Sequence, residues 1–241
     1  MRWEFTPDEF LYAWRQLGAD RNPVPLSLRS SVVWRDAWEE IERDLRQRLP
    51  VLDDPDLVPV LRTAADPDMS LILIGKRKQP LRAYGAVTAN VGVTMVQRSG
   101  LQPDVGGNVV VEVGSPTLVP TVFAALSGDR RAGRVARMVE SWDRLRHNGH
   151  AAGLVGDEAT VADRMRNLLA APRVGDGHIE FRGDRRAGQP PPSRYLSWFD
   201  VDGDGRYIYT RCYGDFHIDP CGTDDFRREI IRLMGSVRVQ N

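Results

Sequence analysis

The chain has 241 residues, 41% of them hydrophobic and 27% charged, which is the balance of an ordinary soluble globular protein. Its 33 basic and 33 acidic residues leave no net charge, so no overall field attracts it to nucleic acid or an anionic membrane. The sequence has no apolar run long enough to span a bilayer, and its first residues, MRWEFTPDEF, have neither the basic start nor the apolar stretch that a signal peptide would show. We therefore expect a cytoplasmic protein that binds neither nucleic acid nor membrane.

Helical patterns dominate the first part of the chain. Thr6 and Glu9 have the spacing of a capping box, which predicts the start of a first helix. Apolar residues then recur at helical spacing from Trp34 to Leu49, with charged residues on the opposite side. A shorter helix is predicted over residues 55–64, after two aspartates that suit a helix start.

Two later parts of the chain share one pattern. Four β-rich runs between residues 69 and 113 predict an antiparallel meander, followed by a helix over 116–126. After Pro172 four further β-rich runs lead to a final helix capped by Thr223. The order helix, four strands, helix is thus repeated with little residue identity. We predict an α+β fold of antiparallel sheet with flanking helices, whose two halves are related by pseudo-twofold symmetry.

The segment between the two halves is predicted to be helical. Apolar residues recur there at helical spacing, namely Val135, Met138, Val139, Trp142 and Leu145. A flexible stretch, HNGHAAGLVG at residues 147–156, separates this helix from the next one, which begins near Val161. We therefore predict a single domain over 1–241, with an N-terminal half at about 1–128, a helical connection at about 129–156 and a C-terminal half at about 157–241.

The hexamer DVDGDG at residues 200–205 suggests two different structures. Asp200, Asp202 and Asp204 have the spacing of the first ligands in an EF-hand loop. The twelfth position is Arg211 where that loop needs a bidentate glutamate, and the flanking residues are strand formers. We interpret the hexamer as the turn of a β-hairpin. The alternative is a calcium-binding or enzymatic domain that uses the three aspartates.

Other signs of chemistry in the sequence are weak. His147 and His150 have a spacing that zinc could use, but no carboxylate or cysteine pair completes a set of ligands. Cys212 and Cys221 are too few for a disulfide framework and lack a metal-ligand spacing. The sequence has no nucleophile elbow, P-loop or dinucleotide-binding glycine motif. We predict no catalytic residue, no metal site and no cofactor.

Six segments, taken in order, match the pattern of one protein family. They are WEFTPDEF at 3–10, VPL at 24–26, ADPDMSL at 65–71, GHIEFR at 177–182, SWFDVDGDGRY at 197–207, and DP followed by FRREIIRL at 219–233. In these segments the sequence resembles the EspG family of ESX (type VII) secretion-associated proteins of actinobacteria. The resemblance covers nearly the whole chain. The acidic turn is longer here than in the family pattern.

The resemblance implies a function in protein secretion. EspG-like proteins are expected to be cytosolic chaperones that recognise a helical PE–PPE heterodimer, keep its aggregation-prone tip in solution and help deliver it for export. A related helical-hairpin substrate is the other partner that the resemblance allows. It also implies no catalytic residue and no cofactor, together with a mixed α+β fold with pseudo-twofold symmetry. The oligomeric state of the free protein stays open.

A candidate partner surface follows from alternation in the predicted strand 206–213. One face carries what we call the Tyr/Arg stripe, which consists of Tyr207, Tyr209, Arg211 and Tyr213. Large aromatics beside an arginine are typical of interface hot spots, and Trp198 in the neighbouring strand can join them. We predict that the opposite face, with Ile208, Thr210 and Cys212, points to the core. The alternative is that a helix covers the stripe and the tyrosines anchor it.

The second candidate partner surface is a charged hairpin loop. It carries Lys76, Arg77 and Lys78 between two predicted strands. Exposed loops commonly carry recognition, so we predict partner contact there as well. The alternative is a solvated turn without a binding role.

Overall fold

In the computed structural model of the protein, the described residues form one antiparallel sheet of ten strands with helices on both faces. The structure describes residues 1–19, 21–102, 105–146, 159–184 and 192–238. The fold class is therefore the predicted one. Among the described residues, no helix has the length and apolar content that crossing a bilayer requires.

The N-terminal half contains the first five strands. Its elements are β1 (Arg2–Phe5), α1 (Pro7–Gln16), α2 (Arg35–Arg48), a 3-10 turn (Val51–Asp53), α3 (Leu57–Ala65), β2 (Met69–Lys76), β3 (Pro80–Thr88), β4 (Val91–Ser99), β5 (Gly106–Gly114) and α4 (Leu118–Ser127). The predicted meander of four strands is confirmed as β2 to β5. The predicted capping box is confirmed too, because Thr6 accepts a hydrogen bond from the Glu9 amide and Glu9 accepts one from the Thr6 amide.

The C-terminal half contains the other five strands. Its elements are β6 (Met138–Ser141), α5 (Trp142–Arg146), α6 (Val161–Ala170), β7 (Arg173–Arg182), β8 (Arg194–Val201), β9 (Arg206–Cys212), β10 (Asp215–Pro220) and α7 (Thr223–Arg238). The four predicted strands and the helices on either side of them are confirmed. Thr223 is the first residue of α7, and its hydroxyl bonds residues 129 and 130.

The two halves have the same order of strands. The sheet runs β1-β5-β4-β3-β2-β7-β8-β9-β10-β6, with every neighbouring pair antiparallel. Counted outward from the central β2–β7 pair, each half presents its second, third, fourth, fifth and first strand. The repeat of topology read from the sequence is therefore present in the pairing. A twofold relation between the two halves in space stays a prediction.

The predicted helical connection at 129–156 is wrong in its first part. Residues 129–137 are not helical, and the backbone there bonds to β9, with the Gly133 amide donating to the Arg206 carbonyl at 3.0 Å. Met138–Ser141 then pairs with β10 at the edge of the sheet, so tertiary pairing overrides the helical spacing. The helix that follows, α5, has five residues. The flexible stretch predicted at 147–156, with His147 and His150, lies outside the described residues.

Helices cover the sheet in three groups. The helices α1, α2 and α3 pack on one face over β3, β4 and β5. The helices α5 and α6 pack on the same face over β8, β9 and β10. The opposite face is covered at its centre by α4 and α7, which contact each other. The middle of the first face therefore lies between two helical groups.

Candidate partner-binding site

The middle of the sheet is built around two glycines that face each other. Gly75 in β2 pairs with Gly177 in β7, and the Trp198 ring of β8 fills the space above both. A Cβ atom on Gly177 would lie 2.5 Å from the Trp198 ring and 2.6 Å from the Ile74 carbonyl oxygen. Trp198 is 1% exposed and packs edge to face on Phe226 of α7. Trp198 thus belongs to the core and does not present its side chain to a partner.

The opposite side of these strands forms an open surface. We call it the central face, and it consists of Ile74 in β2, His178 in β7, and Tyr195 and Ser197 in β8, which the strand register places on one side. Ile74 is 39% exposed and Tyr195 is 53% exposed. The His178 and Tyr195 rings are in contact, with centroids 6.3 Å apart. The central face therefore offers an apolar and aromatic surface between the two helical groups.

A charged cluster lies beside the central face and is internally paired. Glu180, which pairs with Tyr195 across the strands, accepts two hydrogen bonds of 2.8 Å from Arg182 and one of 2.8 Å from Ser193. The Arg182 hydrogen bonds hold the pKa of Glu180 below its ordinary value despite partial burial, so this carboxylate is charged at neutral pH. The same pairing raises the pKa of Arg182. The cluster bounds the apolar surface with a fixed polar rim.

The inner part of the Tyr/Arg stripe packs in the core. Tyr207 is 0% exposed and stacks on Phe199, with ring centroids 5.5 Å apart. Tyr209 is half-buried and contacts Phe199 and Phe216. Arg211 lies over the ring of Trp142, the first residue of α5. A helix therefore lies against the stripe, as in the alternative reading, and Tyr207 anchors it.

The predicted assignment of the two faces of β9 is wrong: the tyrosine face is the more buried one at the inner end of the strand. Ile208 is partly buried against the α7 side, while Thr210 and Cys212 are exposed. The tyrosine side of β9 faces α5 and α6, because Phe199 and Phe216 on the neighbouring strands provide the aromatic core there. Helices thus cover both faces of the inner part of β9, and residue size alone did not reveal which face is the more buried.

The outer end of the stripe is at the surface. Arg211 is exposed, and Tyr213 is 104% exposed in the turn after β9. Tyr213 and Gly214 form a two-residue turn between the paired residues Cys212 and Asp215, with φ of +50° and +95°. Tyr213 therefore lies outside the strand alternation on which its prediction depended. Partner contact by Arg211 and Tyr213 stays a proposal.

The charged loop is a hairpin turn, as predicted. Lys76 is the last residue of β2, and the Arg77 amide donates to the Gln79 carbonyl at 3.0 Å. Lys76 and Lys78 are exposed. Arg77 is half-buried because its guanidinium packs over Gly128 at the end of α4. The loop thus leaves two lysines free in the solvent and fixes the arginine between them.

The acidic turn is held by arginines. Asp200 accepts hydrogen bonds from Arg206, and Asp204 accepts them from the Arg134 amide and guanidinium at 2.9 and 3.1 Å. Burial alone would raise the pKa of Asp204, but hydrogen bonds from Tyr207 and Arg134 hold it below its ordinary value. The described residues contain no group of metal-ligating side chains of the kind that would hold an ion. These contacts favour the hairpin interpretation over a calcium loop.

Burial raises the pKa of two other side chains, Cys221 and Tyr207. It raises the pKa of the Cys221 thiol to about 12, so this thiol is protonated at neutral pH. It also raises the pKa of Tyr207 to about 12, with a further contribution from the hydrogen bond to Asp204. Both groups are thus neutral members of the core.

The model of the EspG family matches residues 6–231. The chain belongs to the EspG family. The resemblance read from the six sequence segments is thereby confirmed.

A solved structure in the EspG fold shares this architecture. It is the Mycobacterium tuberculosis type VII secretion system chaperone EspG5 in complex with a PE25–PPE41 dimer, and it matches with a TM-score of 0.62. The match covers 94% of this EspG-family chain and 93% of EspG5, at 14% sequence identity. At this identity the match shows that the two proteins share a fold, and it shows the fold alone. Among curated proteins none matches the sequence.

The central face of this EspG-family chain is not apparent from the sequence. Ile74 lies in the continuous apolar run SLILIG, which has no alternation to show which side is exposed. Tyr195 carried a usable signal, because it alternates with Ser197 on the side opposite to Leu196 and Trp198. The pairing of β7 with β8 brings Tyr195 and His178 together, although these two residues are far apart in the sequence.

Proposed function

We propose that this EspG-family chain is a cytosolic chaperone that binds a helical PE–PPE-type pair, or a related helical-hairpin substrate, for export by type VII secretion. The observation that supports the proposal most directly is the family match over residues 6–231. The matched fold of EspG5, which was solved in complex with a PE25–PPE41 dimer, supports the class of partner. The role needs a binding surface and uses no catalytic residue.

The central face is the surface that we assign to the partner. An aggregation-prone helical tip exposes apolar residues, and covering them prevents association at the tip itself. Ile74 and Tyr195 offer apolar and aromatic area on a rigid sheet, so little side-chain freedom is lost on binding. A helix would present residues at i, i+3 and i+4 to such a surface. Arg211 and Tyr213 extend the proposed contact at the outer end of the Tyr/Arg stripe, and Lys76, Arg77 and Lys78 extend it at the hairpin loop.

The proposal is tested by co-expressing the chain with the helical secretion-substrate pair encoded nearest to its gene. Affinity pull-down and size-exclusion chromatography should yield a complex of one chaperone and one heterodimer. The double variant Ile74→Ala/Tyr195→Ala should weaken the complex by about tenfold or more, since it truncates two central contacts. A pair that stays insoluble or elutes separately from the wild-type chain would contradict the proposed function.

The matched control for this variant is Ile231→Ala. Ile231 is 46% exposed on α7, on the opposite side of the sheet, so its truncation repeats the Ile74→Ala change at an exposed position away from the central face. We expect this variant to bind the pair as the wild type does. Equal weakening by both variants would argue against the central face, and thermal melting of each variant checks that it is folded.

A further inference from the structure

A positively charged cavity opens where β2 ends and β7 begins. It has a volume of about 810 Å³. We call it the basic cavity, because five cationic side chains line it, namely Lys76, Arg77, Lys78, Arg130 and Arg173. Asp176 is the single acidic residue of its described lining. A volume of this size can accommodate a ligand of several residues or a small molecule.

Internal contacts leave these cations largely uncompensated. Within the described part of the chain, the Nε atoms of Arg77 and Arg130 are buried and have no hydrogen-bond partner. Arg130 lies 3.7 Å from Asp200, but both oxygens of that carboxylate already accept from Arg206. Unsatisfied donors of this kind are costly unless a ligand or water completes them. Because these Nε atoms are themselves inaccessible, a ligand in the cavity meets the uncompensated charge of the two guanidinium groups and not these donors.

The position of Arg173 is fixed in advance of any ligand. Its guanidinium lies 4.8 Å from the centroid of the Phe199 ring and donates to the Leu169 carbonyl at 3.0 Å. A cation held by aromatic and backbone contacts loses little freedom when an anion arrives. Arg173 thus forms a fixed part of the cavity lining, which it shares with the exposed lysines of the hairpin loop.

The charge of the basic cavity is a local property. The whole chain has 33 basic and 33 acidic residues, so five cations against one carboxylate do not reflect a generally basic protein. A concave surface lined by one sign of charge concentrates the electrostatic potential and attracts the opposite sign. The fitting ligand is therefore negatively charged.

The basic cavity adjoins the central face. Lys76 follows Ile74 by two residues on the same side of β2, which places their Cα atoms about 7 Å apart. A helix that lies over Ile74 and Tyr195 would reach the cavity with the residues at one of its ends. One ligand can therefore contact the apolar surface and the cations together.

We propose that the basic cavity binds a segment rich in Asp and Glu at the end of the helical partner that occupies the central face. This inference rests on the proposed function and adds the charge that the partner carries at its tip. Carboxylates on a peptide fit the site because the cations come from a hairpin loop, a connecting segment and a strand, and so surround a wide space. A tight phosphate site would bring several donors to one point.

The test reverses two charges of the cavity. The variant Lys76→Glu/Lys78→Glu changes exposed side chains and leaves the packed Arg77 in place. Titration calorimetry with the purified PE–PPE pair encoded nearest to the gene measures Kd at about 50 and 300 mM NaCl. The Debye length is longer than about 10 Å at the lower salt concentration and shorter than that at the higher one. We expect the wild-type Kd to rise with salt and the variant Kd to be about tenfold higher or more at low salt.

The matched control is Arg35→Glu/Arg46→Glu, which makes the same change of charge on exposed arginines of α2. It should bind the pair as the wild type does. Lysines in place of the acidic residues at the tip of the pair should weaken its binding to the wild-type chain and restore binding to the Lys76→Glu/Lys78→Glu variant. Such a restoration requires direct contact between the exchanged charges.

The outcomes separate the two proposals. If the wild-type chain does not bind the pair at all, the proposed function fails and this inference fails with it. If the wild-type chain binds and the cavity variant binds equally well, the proposed function stands and the acidic segment is rejected. If sodium phosphate raises the Tm of the wild type and not of the cavity variant, while both bind the pair equally, the cavity takes a small anion and the inference is overturned.

Discussion

Asp200 and Arg206 form a buried ion pair at the junction of the sheet with α4 and α7. The Arg206 Nε and Nη2 atoms donate to the two Asp200 oxygens at 2.8 and 3.1 Å, and the side chains are 0% and 1% exposed. Nη2 also donates to the carbonyl of Ser127, the last residue of α4. The guanidinium lies 4.9 Å from the centroid of the Phe226 ring of α7. One arginine thus connects four parts of the fold.

Removal of Arg206 should strongly destabilise the protein. In Arg206→Met the Asp200 carboxylate stays buried without its main partner, which costs about 3–5 kcal/mol of the free energy of unfolding. Urea unfolding of the purified variant measures the loss. Arg134→Met is the control, because Arg134 is 71% exposed and pairs with Asp204 at the surface. That pair should contribute about 1 kcal/mol or less.

A second variant separates the cost of leaving a buried charge unpaired from the cost of losing the packing contacts of Arg206. Asp200→Leu combined with Arg206→Met removes both charges, so no unpaired ion is left in the core. We expect the double variant to lose less stability than Arg206→Met alone, since the isolated carboxylate causes most of the loss. A double variant that is no more stable than Arg206→Met would show that the loss of the Ser127 hydrogen bond and the Phe226 contact, which both variants lack, causes most of the destabilisation instead.

Close packing of Gly75 and Gly177 against the Trp198 ring predicts that a larger residue at position 177 destabilises the protein. A Cβ atom on Gly177 would approach the Trp198 ring and the Ile74 backbone within 2.6 Å, so Gly177→Ala requires the backbone of two strands to move. We expect a loss of about 1–3 kcal/mol in the free energy of unfolding. The control is Gly235→Ala in α7, where nothing lies within 4 Å of the added Cβ. That substitution should stabilise the helix by about 0.5–1 kcal/mol.

Denaturant unfolding measures the stability of both glycine variants. Gly177→Ala reports on close packing against Trp198, and Gly235→Ala reports on helix propensity in α7. If Gly177→Ala has wild-type stability, the centre of the sheet tolerates expansion and the Trp198 contact is loose. The same measurement also bears on the central face, because Gly177 precedes His178 in β7 and lies close to the Ile74 carbonyl. Movement of these strands would shift the surface that we assign to the partner.

The sequence predicted the long elements of the fold and missed the short ones. The strands β2 to β5 and β7 to β10 are recognisable because β-branched and aromatic runs are separated by turn residues. The edge strands β1 and β6 have four residues each and no periodic signal of their own. They exist because β5 and β10 offer unpaired backbone groups at the two edges.

The candidate site was predicted in part, for a physical reason. Lys76, Arg77 and Lys78 are consecutive and therefore visible in the sequence. Arg130 and Arg173 join them only because the central β2–β7 pairing and the position of the 129–137 segment bring distant residues to one cavity. The exposed side of β2 was hidden as well, because both sides of that strand are apolar and the covering helices decide which side is buried.

Tyr213 has a strained backbone conformation and also belongs to the proposed partner surface. Its φ of +50° is unfavourable for a tyrosine, and its side chain is 104% exposed, so none of the described residues packs on the ring to compensate for the strain. Tyr213→Asn places Asn-Gly in a two-residue turn with positive φ at both positions, which is the sequence that such turns favour. We expect the free energy of unfolding to rise by about 1 kcal/mol.

The same substitution should weaken binding of the PE–PPE-type pair, because it removes an aromatic side chain from the outer end of the Tyr/Arg stripe. Tyr209 is less suited to this test, since its ring contacts Phe199 and Phe216 and its truncation would disturb the core. Thermal melting and calorimetry of Tyr213→Asn therefore give two independent readouts. A higher Tm with unchanged Kd would mean that the tyrosine makes no partner contact. A lower Tm would mean that the tyrosine stabilises the turn despite its backbone conformation.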